Sequence, residues 1–110
     1  MSDPSPNLWE VWHARFEFEG GRGYKYRPVI IVGVSSDGSL AMMVTSSTNR
    51  LRLPHDYLLV DWEQAGLVKP SIARVDRIVE LPPNYIGTAG KIGELSDRDV
   101  RGLLSILAEL

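Results

Sequence analysis

Apolar and polar residues alternate early in the chain. Trp12, Ala14, Phe16 and Phe18 interleave with His13, Arg15, Glu17 and Glu19, and a period of two marks a half-buried strand. Glu19-Gly20-Gly21-Arg22-Gly23 has no apolar side chain and reads as a flexible loop. From Pro28 to Val34 the run is apolar throughout and rich in β-branched residues, which predicts a central strand. Ser35-Ser36-Asp37-Gly38 is a turn signal, and Leu40–Val44 follows as the next strand, so residues 28–44 read as a hairpin.

The pattern then loosens. Ser46–Arg50 is polar and loop-like, and Leu51 and Leu53 alternate with Arg50 and Arg52 until Pro54 interrupts. Tyr57–Val60 reads as a strand, and Asp61–Pro70 as a connection with room for one helical turn. Ile72–Leu81 predicts a further strand, with Val75, Val79 and Leu81 on its core face, ended by Pro82-Pro83-Asn84. The last segment predicts a helix. Ser96 is a good N-cap, Asp99 sits where a capping box needs an acid, and Leu95 and Val100 have staple spacing. Val100, Leu103, Leu104 and Leu107 would form one apolar face. Five strands and a C-terminal helix make a mainly β fold: a strongly bent antiparallel sheet or SH3-like barrel with the helix packed on it.

Composition bounds the function. A length of 110 residues is one domain, expected over residues 9–110 behind a loose polar tail at 1–8 that lacks the basic region of a signal peptide. Without cysteine there is no disulfide and no thiolate metal site, and a cytoplasmic setting fits. No apolar run approaches the roughly 18 residues of a membrane-spanning helix. Net charge is −2, but it is unevenly spread. Residues 22–77 hold eight Lys/Arg against five Asp/Glu, and the flanks four against nine. A basic cleft on an acidic body is one reading, and ordinary scatter is the other.

Candidate chemistry gathers at strand ends. Arg74 and Asp76 lie two apart on one strand, so both face the same side, about 7 Å apart. They suit one substrate group or a plain surface ion pair. Arg27 precedes Pro28 at a strand start, where a guanidinium can grip a phosphate or simply meet solvent. Thr45 and Ser46 end another strand, where hydroxyls bind phosphate oxygens or cap turns. Tyr24 and Tyr26 can stack on unpaired bases or be ordinary loop aromatics. His13 and His55 have no plausible second ligand in the sequence, so no metal site is expected. Gly20–Gly23 is followed by neither a lysine nor a helix start, so it is not a nucleotide loop.

The order of these segments resembles the MazF/PemK family of bacterial toxin endoribonucleases. Val11-Trp12, the glycines 20–23, Arg27-Pro28-Val29, Val44-Thr45-Ser46, Arg74-Val75-Asp76 and Ile92-Gly93-Glu94-Leu95-Ser96 follow the family's sequence of motifs. The resemblance covers nearly all of residues 9–109. It implies a PemK-type barrel and the toxin of a type II toxin–antitoxin pair. It also implies cofactor-free, metal-independent cleavage of single-stranded RNA by the RNA's own 2′-hydroxyl. Carried over by position, Asp76 would be the base, Arg74 the acid or, since arginine is a poor proton donor, the charge stabiliser, and Arg27 the phosphate clamp, with Thr45 or Ser46 assisting. A homodimer, a cognate antitoxin and a cytoplasmic location are implied too. Two departures stand out. Glu19–Tyr26 lacks the histidine some members carry there, and Trp9-Glu10 replaces an opening glycine. A non-catalytic binder on the same fold, in the manner of the gyrase poison CcdB or as a degenerate toxin, is the alternative.

Overall fold

A computed structural model of the 110-residue chain describes residues 6–17, 20–48, 53–86 and 90–110. The first five tail residues, Phe18 and Glu19 of the first predicted strand, and residues 49–52 lie outside the described residues. In chain order the elements are β1 (Glu10–Glu17), β2 (Tyr24–Ser35), β3 (Gly38–Thr45), β4 (Asp56–Leu58), β5 (Ile72–Leu81), α1 (Pro83–Ile86), β6 (Lys91–Glu94) and α2 (Asp97–Leu107). The strands form one antiparallel sheet in the order β4-β5-β3-β2-β1-β6. The fold is mainly β, as expected. Among the described residues the two edge strands do not pair with each other, so this is an open, bent sheet and not a closed barrel.

Both faces of the sheet are covered, which explains the unbroken apolar run in β2: Val29, Ile30 and Ile31 are all fully buried. Ile30, Val11, Met42 and Val75 pack with Leu59, Ala65 and Leu103 on the side that α2 closes. Val29, Ile31, Trp12, Ala14 and Ala41 pack with Leu81 and Ile86 on the side that α1 closes. The β2–β3 hairpin turns where expected, and Gly38 is needed there. Its φ is 153°, and a Cβ would overlap the Leu81 carbonyl. Between β4 and β5, Ala65 N–H bonds the Asp61 carbonyl at 3.1 Å, closing one helical turn.

Several expectations change. Two elements, α1 and β6, join the predicted five strands and one helix. β5 does not keep its alternation. Met43 pairs with Arg74 but Met42 pairs with Ile78, so Val75-Asp76-Arg77 is a bulge. The bulge bends the strand and shifts its facing, leaving Val79 exposed at 38% while Val75 and Leu81 stay buried. In α2, Ser96 caps as predicted, its hydroxyl accepting the Asp99 N–H at 3.2 Å. Asp99 does not complete a capping box. Its carboxylate turns into the protein to take the Tyr57 hydroxyl and the Val60 and Asp61 N–H groups. Leu104 is exposed, and Ile106 packs on the core instead. At the departure before β1, Trp9 has a φ of 68°, a left-handed conformation that favours glycine.

Candidate functional site

The sheet register gathers the candidate residues. Asp56, Arg74, Met43, Val29 and Trp12 are paired in turn across β4, β5, β3, β2 and β1. Directly opposed residues share a face, so Arg74 lies on the Trp12 side of the sheet. Two residues along, Ala14 pairs with Arg27 and Ile72 with Thr45, and alternation returns both Arg27 and Thr45 to that face. The β2–β3 ladder ends at Val29–Met43, two residues short of both Arg27 and Thr45. Arg27 and Arg74 are then two strands and two residues apart, on the order of 12 Å between Cα atoms. Two long guanidinium side chains can converge across that span on one phosphate.

Arg74 is tethered. Its Nη1 lies 3.9 Å from Asp56 Oδ2, and the Asp56 side chain is only 2% exposed. The same oxygen accepts the Leu53 N–H at 3.0 Å. Oδ1 is buried without a hydrogen-bond partner among the described residues, so the guanidinium opposite is the compensation for a charge taken out of water. Arg27 is exposed and makes no ion pair among the described residues.

Asp76 makes no ion pair with Arg74, although they are two residues apart. The bulge carries it toward β4, where His55 holds it twice. The His55 N–H donates to Oδ2 at 3.0 Å, and the ring Nδ1 lies 2.8 Å from Oδ1. The ring hydrogen bond lowers the Asp76 carboxyl below the usual range. Partial burial opposes it, and the backbone N–H adds to it. A carboxylate only accepts, so the imidazole Nδ1 carries the hydrogen and Nε2 is left as the working nitrogen.

Thr45 Oγ1 accepts the Ser47 N–H at 3.1 Å, the turn-capping role. A hydroxyl has a second lone pair and a proton besides, so this does not exclude a phosphate oxygen. Ser46 follows the end of β3 and is exposed. Tyr24 and Tyr26 are not on the arginine face. Their partners Glu17 and Arg15 put them on the other side of β2 from Arg27. They pack edge to face at 5.6 Å, and the Arg15 guanidinium lies over Tyr24 at 4.7 Å and Tyr85 at 5.3 Å.

The sequence marks Arg27, Thr45, Arg74 and Asp76, offers His55 only as a histidine without a second ligand, and does not single out Asp56. The His55–Asp76 pair joins positions 21 residues apart, and only the β4–β5 register brings them together. The Pro54-His55-Asp56 run was the available signal. Among the described residues no group of three or more His, Cys, Asp or Glu could hold a metal ion.

A search of curated proteins returns no match. The family model for the PemK-like, MazF-like toxin of type II toxin–antitoxin systems matches residues 7–110, nearly the whole chain. Its ordered motifs, its bent sheet and the residues gathered on one face agree with that match, and the chain belongs to the PemK-like, MazF-like toxin family.

Proposed function

We propose that the protein is an endoribonuclease toxin that cuts single-stranded RNA by intramolecular attack of a 2′-hydroxyl. The observation that carries this reading is the sharing of one sheet face by Arg27, Thr45 and Arg74. A phosphodiester undergoing attack gathers negative charge on its equatorial oxygens. Two convergent guanidinium groups and a hydroxyl suit that charge. Arg27 grips the scissile phosphate, Arg74 stabilises the developing charge, and Thr45 or Ser46 donates to a phosphoryl oxygen. Asp76 supplies the carboxylate of the proton-transfer step. Arginine is a poor proton donor because its pKa stays above about 12.

Membership in the toxin family implies a cognate antitoxin. We further propose that it works as a cytoplasmic homodimer whose RNA groove the antitoxin covers.

The test is incubation of purified protein with single-stranded RNA in EDTA. Cleavage to a cyclic phosphate and a 5′-hydroxyl is expected. Arg74→Ala should lower kcat/KM by about 10²–10³, and Asp76→Ala should also impair it. An intact substrate, or equal cleavage by both variants, would sink the assignment and favour a non-catalytic binder on this fold.

A further inference from the structure

The proposed reaction leaves one chemical need unmet: a proton for the departing 5′-oxygen. The arginines cannot supply it, and Asp76, held ionised by two hydrogen bonds from one residue, is poorly suited to carry it. We propose that His55 is the general acid of this site and that Asp76 is its positioning residue. The inference rests on the ribonuclease reading above and changes the role of Asp76 within it.

Three observations carry it. The first is geometry. Asp56 pairs with Arg74, His55 directly precedes Asp56, and Asp76 is two residues past Arg74, so the His55–Asp76 pair joins the same two stretches of chain just beyond the Arg74–Asp56 pair. The proton carrier is thus one residue from the carboxylate that tethers the charge stabiliser. The second is orientation. Asp76 takes both the His55 N–H and the ring Nδ1, which fixes backbone and imidazole together and turns Nε2 outward from that bond. The third is access. The His55 side chain is 39% exposed and that of Asp76 30%, so the pair can meet a polymer in solution.

The bulge Val75–Arg77 is what makes this possible. In a regular ladder Asp76 would stand on the Arg74 face and be its natural partner. The three extra residues carry it to His55, leaving Arg74 to Asp56. Each arginine and each carboxylate thereby acquires a separate task.

The 2′-oxygen forms a bond to phosphorus and its proton passes to water. The phosphorus–O5′ bond breaks with its electron pair going to O5′. The imidazolium gives its Nε2 proton to that oxygen and becomes neutral imidazole, while Asp76 remains ionised and hydrogen-bonded to Nδ1. The products are a 2′,3′-cyclic phosphate and a 5′-hydroxyl.

The decisive experiment compares two substrates of one sequence. One carries the ordinary oxygen at the scissile 5′ position, and the other carries sulfur there. A thiolate leaves without a proton, so a missing acid costs it little. His55→Gln should cut the oxygen substrate about 10²–10³-fold more slowly than wild type and the sulfur substrate within a few-fold of wild type. Asp76→Asn should show the same split to a smaller degree. Equal losses on both substrates, or no loss on either, would overturn the role of His55. Circular dichroism and thermal melting of each variant must match wild type, and a variant that fails this is replaced by His55→Asn, read the same way. A wild type that cuts neither substrate defeats the ribonuclease reading itself. A wild type that cuts both while His55→Gln shows no split defeats only this inference.

Discussion

At the scale of single residues, Glu10 shows how this chain tolerates a buried charge. It is 8% exposed, and its carboxylate accepts the Asn7 N–H at 2.7 Å, the Trp12 indole at 2.9 Å and, on the other oxygen, Lys91 at 2.8 Å. Burial alone would raise its pKa. Lys91, Asn7 and Trp12 together outweigh burial and hold it at about 2, against an ordinary 4.5. A depressed native value means the unfolded chain binds the proton first. The stabilisation is therefore full above pH 4.5 and is lost as pH falls toward 2. Glu10→Gln should lower stability at pH 7 by on the order of 2 kcal/mol and flatten its decline below pH 4.5. Urea unfolding at pH 7, 4 and 3 checks both, and an unchanged pH slope in the variant would count against the account. The same scale shows what sequence could reveal of the site. Arg27, Thr45 and Arg74 were visible because each ends or punctuates an apolar run. His55 was not, since its meaning lies in a partner 21 positions away.

At the scale of elements, α2 is tied to β4 through Asp99 as much as through apolar packing. Asp99 is fully buried and accepts the Tyr57 hydroxyl at 2.8 Å, the Val60 N–H at 3.0 Å and the Asp61 N–H at 2.9 Å. Burial, then the bond to Asp99, pushes the Tyr57 hydroxyl up to about 12, so it stays a donor. The approach is close: a Cβ on Gly102 would stand 2.5 Å from the Tyr57 oxygen. Asp99→Ala strands three donors and should cost about 3 kcal/mol, whereas Ser96→Ala removes one cap and should cost about 1 kcal/mol. Denaturant unfolding separates the two, and a smaller loss for Asp99→Ala than for Ser96→Ala would refute this ranking. The hairpin, β1 and α2 were legible because their apolar periodicity agrees with their final burial. β6 was not. It has four residues, and its place comes from pairing with β1 and from Gly93, where a Cβ would overlap the Ala65 carbonyl. The bulge in β5 was invisible as well, because Val75, Val79 and Leu81 alternate correctly in sequence and only the neighbouring strand shows the slip.

At the scale of the whole molecule, a net charge of −2 is ill matched to a polyanion until the ion pairs are located. Arg98 is bonded to Asp61, Lys91 to Glu10 and Glu94, and Arg15 to Glu17. Those cations are largely spent within the fold. The proposed site keeps Arg27 unpaired among the described residues and holds Arg74 at 3.9 Å from a single carboxylate. Arg27 and Arg74 thus place positive charge where the phosphate would sit, while Arg22, Lys25, Lys69, Arg77 and Arg101 are exposed without an ion pair among the described residues as well. Such a site should bind through few phosphates. If Arg27 and Arg74 each neutralise one, log K for single-stranded RNA should fall with log salt at a slope of about −1.4, since each contact contributes about −0.7. Arg27→Ala should weaken binding and reduce that slope by about 0.7. Arg98→Ala, which breaks an ion pair remote from the arginine face, should leave the slope unchanged. Fluorescence anisotropy with an RNA whose 2′-hydroxyls are methylated, so that it binds without being cut, measures all three. A slope several times steeper would mean that a broad basic surface, and not this one face, holds the RNA.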